Sequence, residues 1–270
     1  MTRHPLAIAM TVALGMLVIA PIAEAQQQAG GTSMREQRAK RMAELGKGKE
    51  EAKQEEQKPA KYPNATRVAP EAKANPKAVR NLQALQDAYE KQDMAGVIAK
   101  SEEIAAMPNA GAYEKSFAYS MAGNAAADLD DQAKAADYFA KAVEANGLDN
   151  DSHFNTMYNL AVIQYGNEKY ADALATMDRF LAETRSDKPE HQGFRAGILA
   201  NLGRNEEAAA IYKDLVAKNP TDKRILMNAV AALQGADKFD QANVLMEDAY
   251  KRGMLTEEKE FRSLYVGYMN

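Results

Sequence analysis

Between residues 78 and 254 apolar side chains recur at spacings of three and four, the mark of helices that bury one face. Phe154, Met157, Leu160, Ala161 and Gln164 share one stripe, with Ser152 placed to cap it, and Tyr170, Ala173, Leu174, Met177 and Leu181 form the next. This two-helix pattern repeats. Ala208-x3-Tyr212 is followed 34 residues later by Ala242-x3-Met246, and GRNEEA aligns with DKFDQA. Ala173-x3-Met177 stands 35 residues before Ala208, and Ala135-x3-Phe139 a further 38 before that. A fixed period of this size means tandem supersecondary units stacked into one core. A small alanine lets two helix axes approach closely, and the larger residue one turn later fills the space beside it.

The repeats predict an all-α fold: a right-handed superhelical solenoid of about five helix-turn-helix units, near 78–111, 116–149, 154–187, 189–222 and 223–256. Gly253 is placed to end a helix in the left-handed conformation. A capping helix over 256–268 follows, carrying Phe261, Leu264, Tyr265 and Tyr268 on one side. Solenoids need such covers on their terminal units. Its alternative place is the protein's own groove or a partner.

The chain resembles the tetratricopeptide repeat family, whose pattern is W-x2-L-G-x2-Y, then A-x3-F, then P. The second unit offers Tyr119-x2-Ala122-Gly123 and Ala135-x3-Phe139; the third offers Met157-x2-Leu160-Ala161 and Ala173-x3-Met177. The fourth gives Gln192-x2-Arg195-Ala196, Ala208-x3-Tyr212 and Pro220, and the fifth Leu226-x2-Ala229-Val230 with Ala242-x3-Met246. The first unit is degenerate, with Val97-x3-Ser101 in place of the alanine motif. Second helices match well and first helices poorly, and the chain has no tryptophan.

The N-terminal quarter is of another kind. Residues 1–25 have a basic start at Arg3, an uncharged run from Leu6 to Ile22 and an A-x-A pair at Ala23 and Ala25, as in a secretory signal peptide cleaved before Gln26. An uncleaved anchor is the alternative. Residues 26–77 hold 12 Lys and Arg against 7 Asp and Glu, whereas the remainder holds 21 against 30. Few large apolar residues and the prolines at 59, 63, 70 and 76 predict a flexible basic linker, partly helical at most, able to make weak contact with an anionic membrane. The heptad content of 34–58 is too low for a trimerising coiled coil.

Zero cysteines exclude disulfides, thiol catalysis and thiolate metal sites. The mature chain has two histidines, His153 and His191, each expected as a solvated residue near a helix start, and neither has a histidine at i+3 or i+4 to share a metal. Nucleophile-elbow, phosphate-loop and dinucleotide motifs are missing, and adjacent carboxylates such as Glu102-Glu103 belong to polar faces. No cofactor, metal or catalytic residue is therefore expected. The net acidity of the repeats argues against nucleic acid.

The resemblance implies a non-catalytic protein–protein interaction scaffold that holds a peptide or partner helix on a concave face lined by first helices. By that analogy the contact residues are Asn124, Tyr158, Asn159, Val162, Tyr165, Arg224, Met227, Asn228 and Ala231. The signal peptide places it in a bacterial periplasm, or alternatively outside the cell. The rival functions are a membrane-anchored envelope assembly factor and a carbohydrate-binding or hydrolytic protein using the concave cleft.

Overall fold

The computed structural model describes residues 60–71 and 74–257. The expected signal peptide, most of the basic segment and the capping helix lie outside the described residues. Among the described residues ten helices run in sequence: α1 Val79–Glu90, α2 Met94–Ala106, α3 Ala112–Asp128, α4 Gln132–Ala145, α5 Asn150–Gly166, α6 Tyr170–Thr184, α7 Pro189–Asn201, α8 Asn205–Lys218, α9 Lys223–Gly235 and α10 Phe239–Lys251. Each packs on the next, and the first helices also meet across units, α1 with α3 and α7 with α9. Local contacts of this kind make a solenoid whose stability is roughly a sum over units and their interfaces. The helices form five antiparallel pairs.

Every turn inside a pair is built alike. Gln92, Asp130, Glu168, Gly203 and Asp237 all take positive φ, between 56° and 73°. The next residue's N–H then donates five residues back, from Asp93 to the carbonyl of Ala88, Asp131 to Ala126, Lys169 to Gln164, Arg204 to Leu199 and Lys238 to Leu233. This is the left-handed helix ending that satisfies the last carbonyls. Only Gly203 adopts it without a Cβ penalty. Gly253, with φ of 69°, ends α10 in the same way, as its position in the sequence predicts.

Caps set several starts. The side chains of Asp93, Asp131, Asp149 and Asp222 each accept an N–H from the first turn of α2, α4, α5 and α9. Ser152 is not the cap of α5: its own N–H is the donor to Asp149, at 3.0 Å. Asp149 is the last residue outside the helix, so its carboxylate is the one placed to accept a first-turn N–H.

The repeat positions form the core. Ala135, Ala173, Ala208 and Ala242 are buried, as are Phe139, Met177, Tyr212 and Met246 beside them, and Pro220 stands exposed in the turn after α8. In the first unit Val97 and Ser101 fill the equivalent places, both fully buried. A Cβ at Gly123 would stand 2.6 Å from the Phe139 ring, so α3 and α4 can be this close only with glycine there. Gly147 is held likewise, against the backbone of Ala112.

One expectation fails here. Residues 60–71, read as part of a flexible linker, form an extended strap docked along one edge of the solenoid. A turn closes from Ala65 N–H to the Tyr62 carbonyl at 3.2 Å, with Pro63 in its favoured second position. It drives the Tyr62 ring into the core, leaving 4% of the residue exposed. The average composition of 26–77 concealed a single large aromatic flanked by prolines. Proline-stiffened chain has less conformational entropy to lose on docking, so one buried ring and a few hydrogen bonds suffice.

Candidate binding surfaces

The face formed by the first helices carries a row of aromatic rings. Tyr158 on α5 meets Phe194 on α7 with ring centroids 5.6 Å apart, and Phe194 meets Tyr165 at 5.5 Å. Tyr165 leans on Tyr170, and its hydroxyl accepts a hydrogen bond from Asn201 at 2.9 Å. All three row members are half-buried. Burial, helped by the charge of Glu190 and opposed by Arg224, pushes the Tyr158 hydroxyl up to about 12, so it is a neutral donor at ordinary pH.

Between Tyr158 and α9 lies α7, with Gly193 half-buried and Gly197 buried. Gly193 and Gly197 occupy on α7 the repeat positions that Tyr158 and Val162 hold on α5. Behind them lies Tyr212, whose hydroxyl donates to the Gly193 carbonyl at 3.0 Å and lies within hydrogen-bonding reach of the Asn228 amide. Arg224 is exposed at the start of α9, 3.7 Å from Asp222, and its charge is felt at both Tyr158 and Tyr212.

The sequence-derived residues divide accordingly. Tyr158, Tyr165, Arg224 and Asn228 gather around Phe194 and Tyr212. Asn159, Val162, Met227 and Ala231 are half-buried on the same two helices, α5 and α9, with Met227 packed against the core. Asn124 is withdrawn: only 8% is exposed and its amide donates to the Ser120 carbonyl within its own helix. Asn228, one of the expected contact residues, is engaged in part by Tyr212.

No protein-family model matches the sequence, and no curated protein matches it significantly. Solved structures do resemble it. YrrB, described as a TPR protein with an unusual peptide-binding site, aligns over 67% of this chain and 92% of its own at 20% identity, with a TM-score of 0.51. The MamA protein aligns over 67% and 96% at 15% identity, also with a TM-score of 0.51. A tetratricopeptide repeat protein from Parabacteroides merdae aligns over 70% and 72% at 12% identity, with a TM-score of 0.52. The fold is that of a tetratricopeptide repeat solenoid.

A second surface of this solenoid lies at its edge, where second helices end and first helices begin. Tyr62 enters a slot walled by Phe154, Phe180 and His191, at centroid distances of 5.3, 5.6 and 6.2 Å. Asp151 accepts the Lys61 N–H at 3.2 Å, and Lys61 Nζ donates to Asn155 at 2.6 Å. Thr66 N–H donates to the Glu183 carbonyl at 2.8 Å. Arg67 spans the turn between α4 and α5, donating to the Asn146 and Asn150 side chains at 2.8 and 2.7 Å and to the Leu148 carbonyl at 2.9 Å. Asn150 in return donates to the Arg67 carbonyl at 3.0 Å. Further along, Asn75 N–H reaches Glu114, which also receives the Gly111 N–H and so fastens the start of α3.

The two histidines lie under this edge rather than in solvent. His191 is buried between Tyr62, Tyr158 and Phe180, with Nδ1 2.7 Å from the Ser186 hydroxyl. His153 is fully buried, and neither ring nitrogen has a hydrogen-bond partner among the described residues. Burial pulls both down to about 4, aided at His153 by Arg67 and Arg179 and at His191 by Lys188 and Lys61; Asp149 at His153 and Glu190 at His191 act the other way. Their place near helix starts is what the sequence indicates; the strap that covers them is what it does not.

The repeat alignment carried the signal for one missed residue. Phe194 stands at the position of Asn159 and Asn228 in the neighbouring units, and so belongs on the same face. Tyr62, Lys61 and Arg67 carried none, because they lie outside the repeats. Among the described residues no group of three His, Asp or Glu side chains could hold a metal ion, and no helix is long and apolar enough to cross a membrane.

Proposed function

We propose that this chain is a non-catalytic adaptor of the bacterial cell envelope that holds an extended peptide or a partner helix on its first-helix face. The observation that carries the reading is the Tyr158–Phe194–Tyr165 row with the exposed Arg224 at the start of α9, whose charge is felt at Tyr158. Half-exposed aromatics beside a cation are what a peptide contact uses: rings for apolar anchors, guanidinium for a carboxylate or carbonyl. The likeness to YrrB supports peptide recognition by the fold, and the signal-like residues 1–25 support export to the periplasm.

The reading is tested with a photo-crosslinking amino acid installed at Asn159, at Phe194, or at the exposed Ala182 and Ala217 of second helices, in cells of the source bacterium. Adducts shared by Asn159 and Phe194 and missing at Ala182 and Ala217 are expected. Equal labelling at all four positions, or adducts that persist when Tyr158 and Arg224 are both changed to alanine, would overturn it. Sequencing the N-terminus of the envelope form checks export separately; a start at Gln26 is expected.

A further inference from the structure

We propose that the edge over units 2 to 4 is a peptide-binding site in its own right, occupied in this structure by the chain's own residues 61–67. It takes an extended segment that carries an aromatic residue followed five positions later by arginine. Its parts are those of a recognition site and not of a generic packing contact. Asp151 and the Glu183 carbonyl take backbone N–H groups, which any sequence supplies. The slot of Phe154, Phe180 and His191 takes a flat ring, and the donors of Arg67 fit the Asn146, Leu148 and Asn150 oxygens of one turn. Backbone bonds give affinity and the two side-chain positions give selectivity.

The strap is also ligand-like in how it leaves the surface. Val68, next after Arg67, is 91% exposed, so the docked stretch ends at Arg67. The site is separate from the first-helix face but shares a wall with it. Tyr158 touches Phe180 and His191 on the strap side and Phe194 on the other. A partner segment of this chemistry would have to displace a strap tethered at an effective concentration on the order of millimolar.

The test uses the full chain with residues 61–67 replaced by a glycine-serine run of equal length, and a fluorescent peptide of residues 58–70 as the probe. Saturable binding to the replaced chain is expected, with at least tenfold weaker binding to the unaltered chain. Peptides carrying Tyr62→Ala or Arg67→Ala should bind at least tenfold more weakly than the unaltered peptide. Equal binding to both chains, or no binding to a replaced chain that retains its helical circular dichroism and melts cooperatively, overturns the proposal. A replaced chain that does not fold overturns it as well, since the segment would then be core and not ligand. The Asn159 and Phe194 crosslinks are read independently, so failure here leaves the first-helix face standing.

Discussion

The junction between units 3 and 4 and the junction between units 4 and 5 solve one problem in two ways. Each must close the wedge where a second helix ends and the next first helix begins. At the later junction Leu215 and Ile225, both buried, close it with aliphatic side chains of the repeats themselves. At the earlier one the corresponding residues are Phe180 and His191, and the space between them is filled from outside the repeats, by Tyr62. Among the described residues the later junction is closed within the repeats, and the earlier one takes in a segment that enters from elsewhere. The difference shows that a solenoid interface can take part of its wall from a short segment outside the repeats.

Removing the shared ring is the strongest way to break the contrast. Phe180→Ala deletes a fully buried side chain that touches Tyr62, Phe154, Tyr158 and His191, and should cost about 3–5 kcal/mol in urea unfolding. Leu215→Ala should cost about 2–5 kcal/mol by the same mechanism. The distinguishing readout is hydrogen exchange at the Thr66 amide, bonded to the Glu183 carbonyl. It should accelerate in Phe180→Ala and stay slow in Leu215→Ala under conditions where both remain folded.

Acid should act on the strapped junction and spare the other. The ordinary histidine value is near 6.5 and both buried rings are held at about 4, so between these values the unfolded chain binds more protons than the folded one. Stability from this source is complete above about pH 6.5 and is lost as pH falls towards 4, by roughly 2 kcal/mol per histidine at pH 5. The check is the denaturation midpoint from pH 7 to pH 5 for the parent and for a chain with both histidines replaced by glutamine. The parent should fall more steeply, and parallel curves would show that these rings do not titrate on unfolding.

How much of this was legible beforehand follows from where information sits in the chain. The alanine motifs specified four of the five units because helix approach favours a small residue at one place per pair, and Ala135, Ala173, Ala208 and Ala242 are buried there. Alignment of first helices pointed to Tyr158 and Tyr165, and the same alignment applied to Phe194 would have completed the row. Asn124 misled because a repeat position was taken as a surface position, whereas its unit packs more tightly around Gly123 and Phe139. The strap was illegible for a different reason. Tyr62 and Arg67 have no periodicity, and their partners Phe180, His191 and Asn146 are 79 to 129 residues away, so only the folded edge brings them together.

His153 offers a smaller and opposite effect. Its two nitrogens are buried without partners, which is unfavourable even for the neutral ring. His153→Phe keeps the ring and removes both polar atoms. A gain of about 1 kcal/mol at pH 7 is expected, together with a shallower acid slope. A loss of stability would mean that the imidazole has a partner when the strap moves.

The finest comparison is between two matching caps. Asp149 and Asp222 each accept a first-turn N–H at 3.0 Å, one at the start of α5 and the other at the start of α9. As caps alone each should cost about 1 kcal/mol when changed to alanine. Asp149 also feels the charge of Arg67 in the strap, while Asp222 has Arg224 on its own helix. Asp149→Ala should therefore cost a few tenths of a kcal/mol more than Asp222→Ala at low salt, since a partly buried charge pair is screened less than an exposed one. Repeating both in a chain with Arg67→Ala should make the two losses equal within error. If the gap persists, it belongs to the helices and not to the strap.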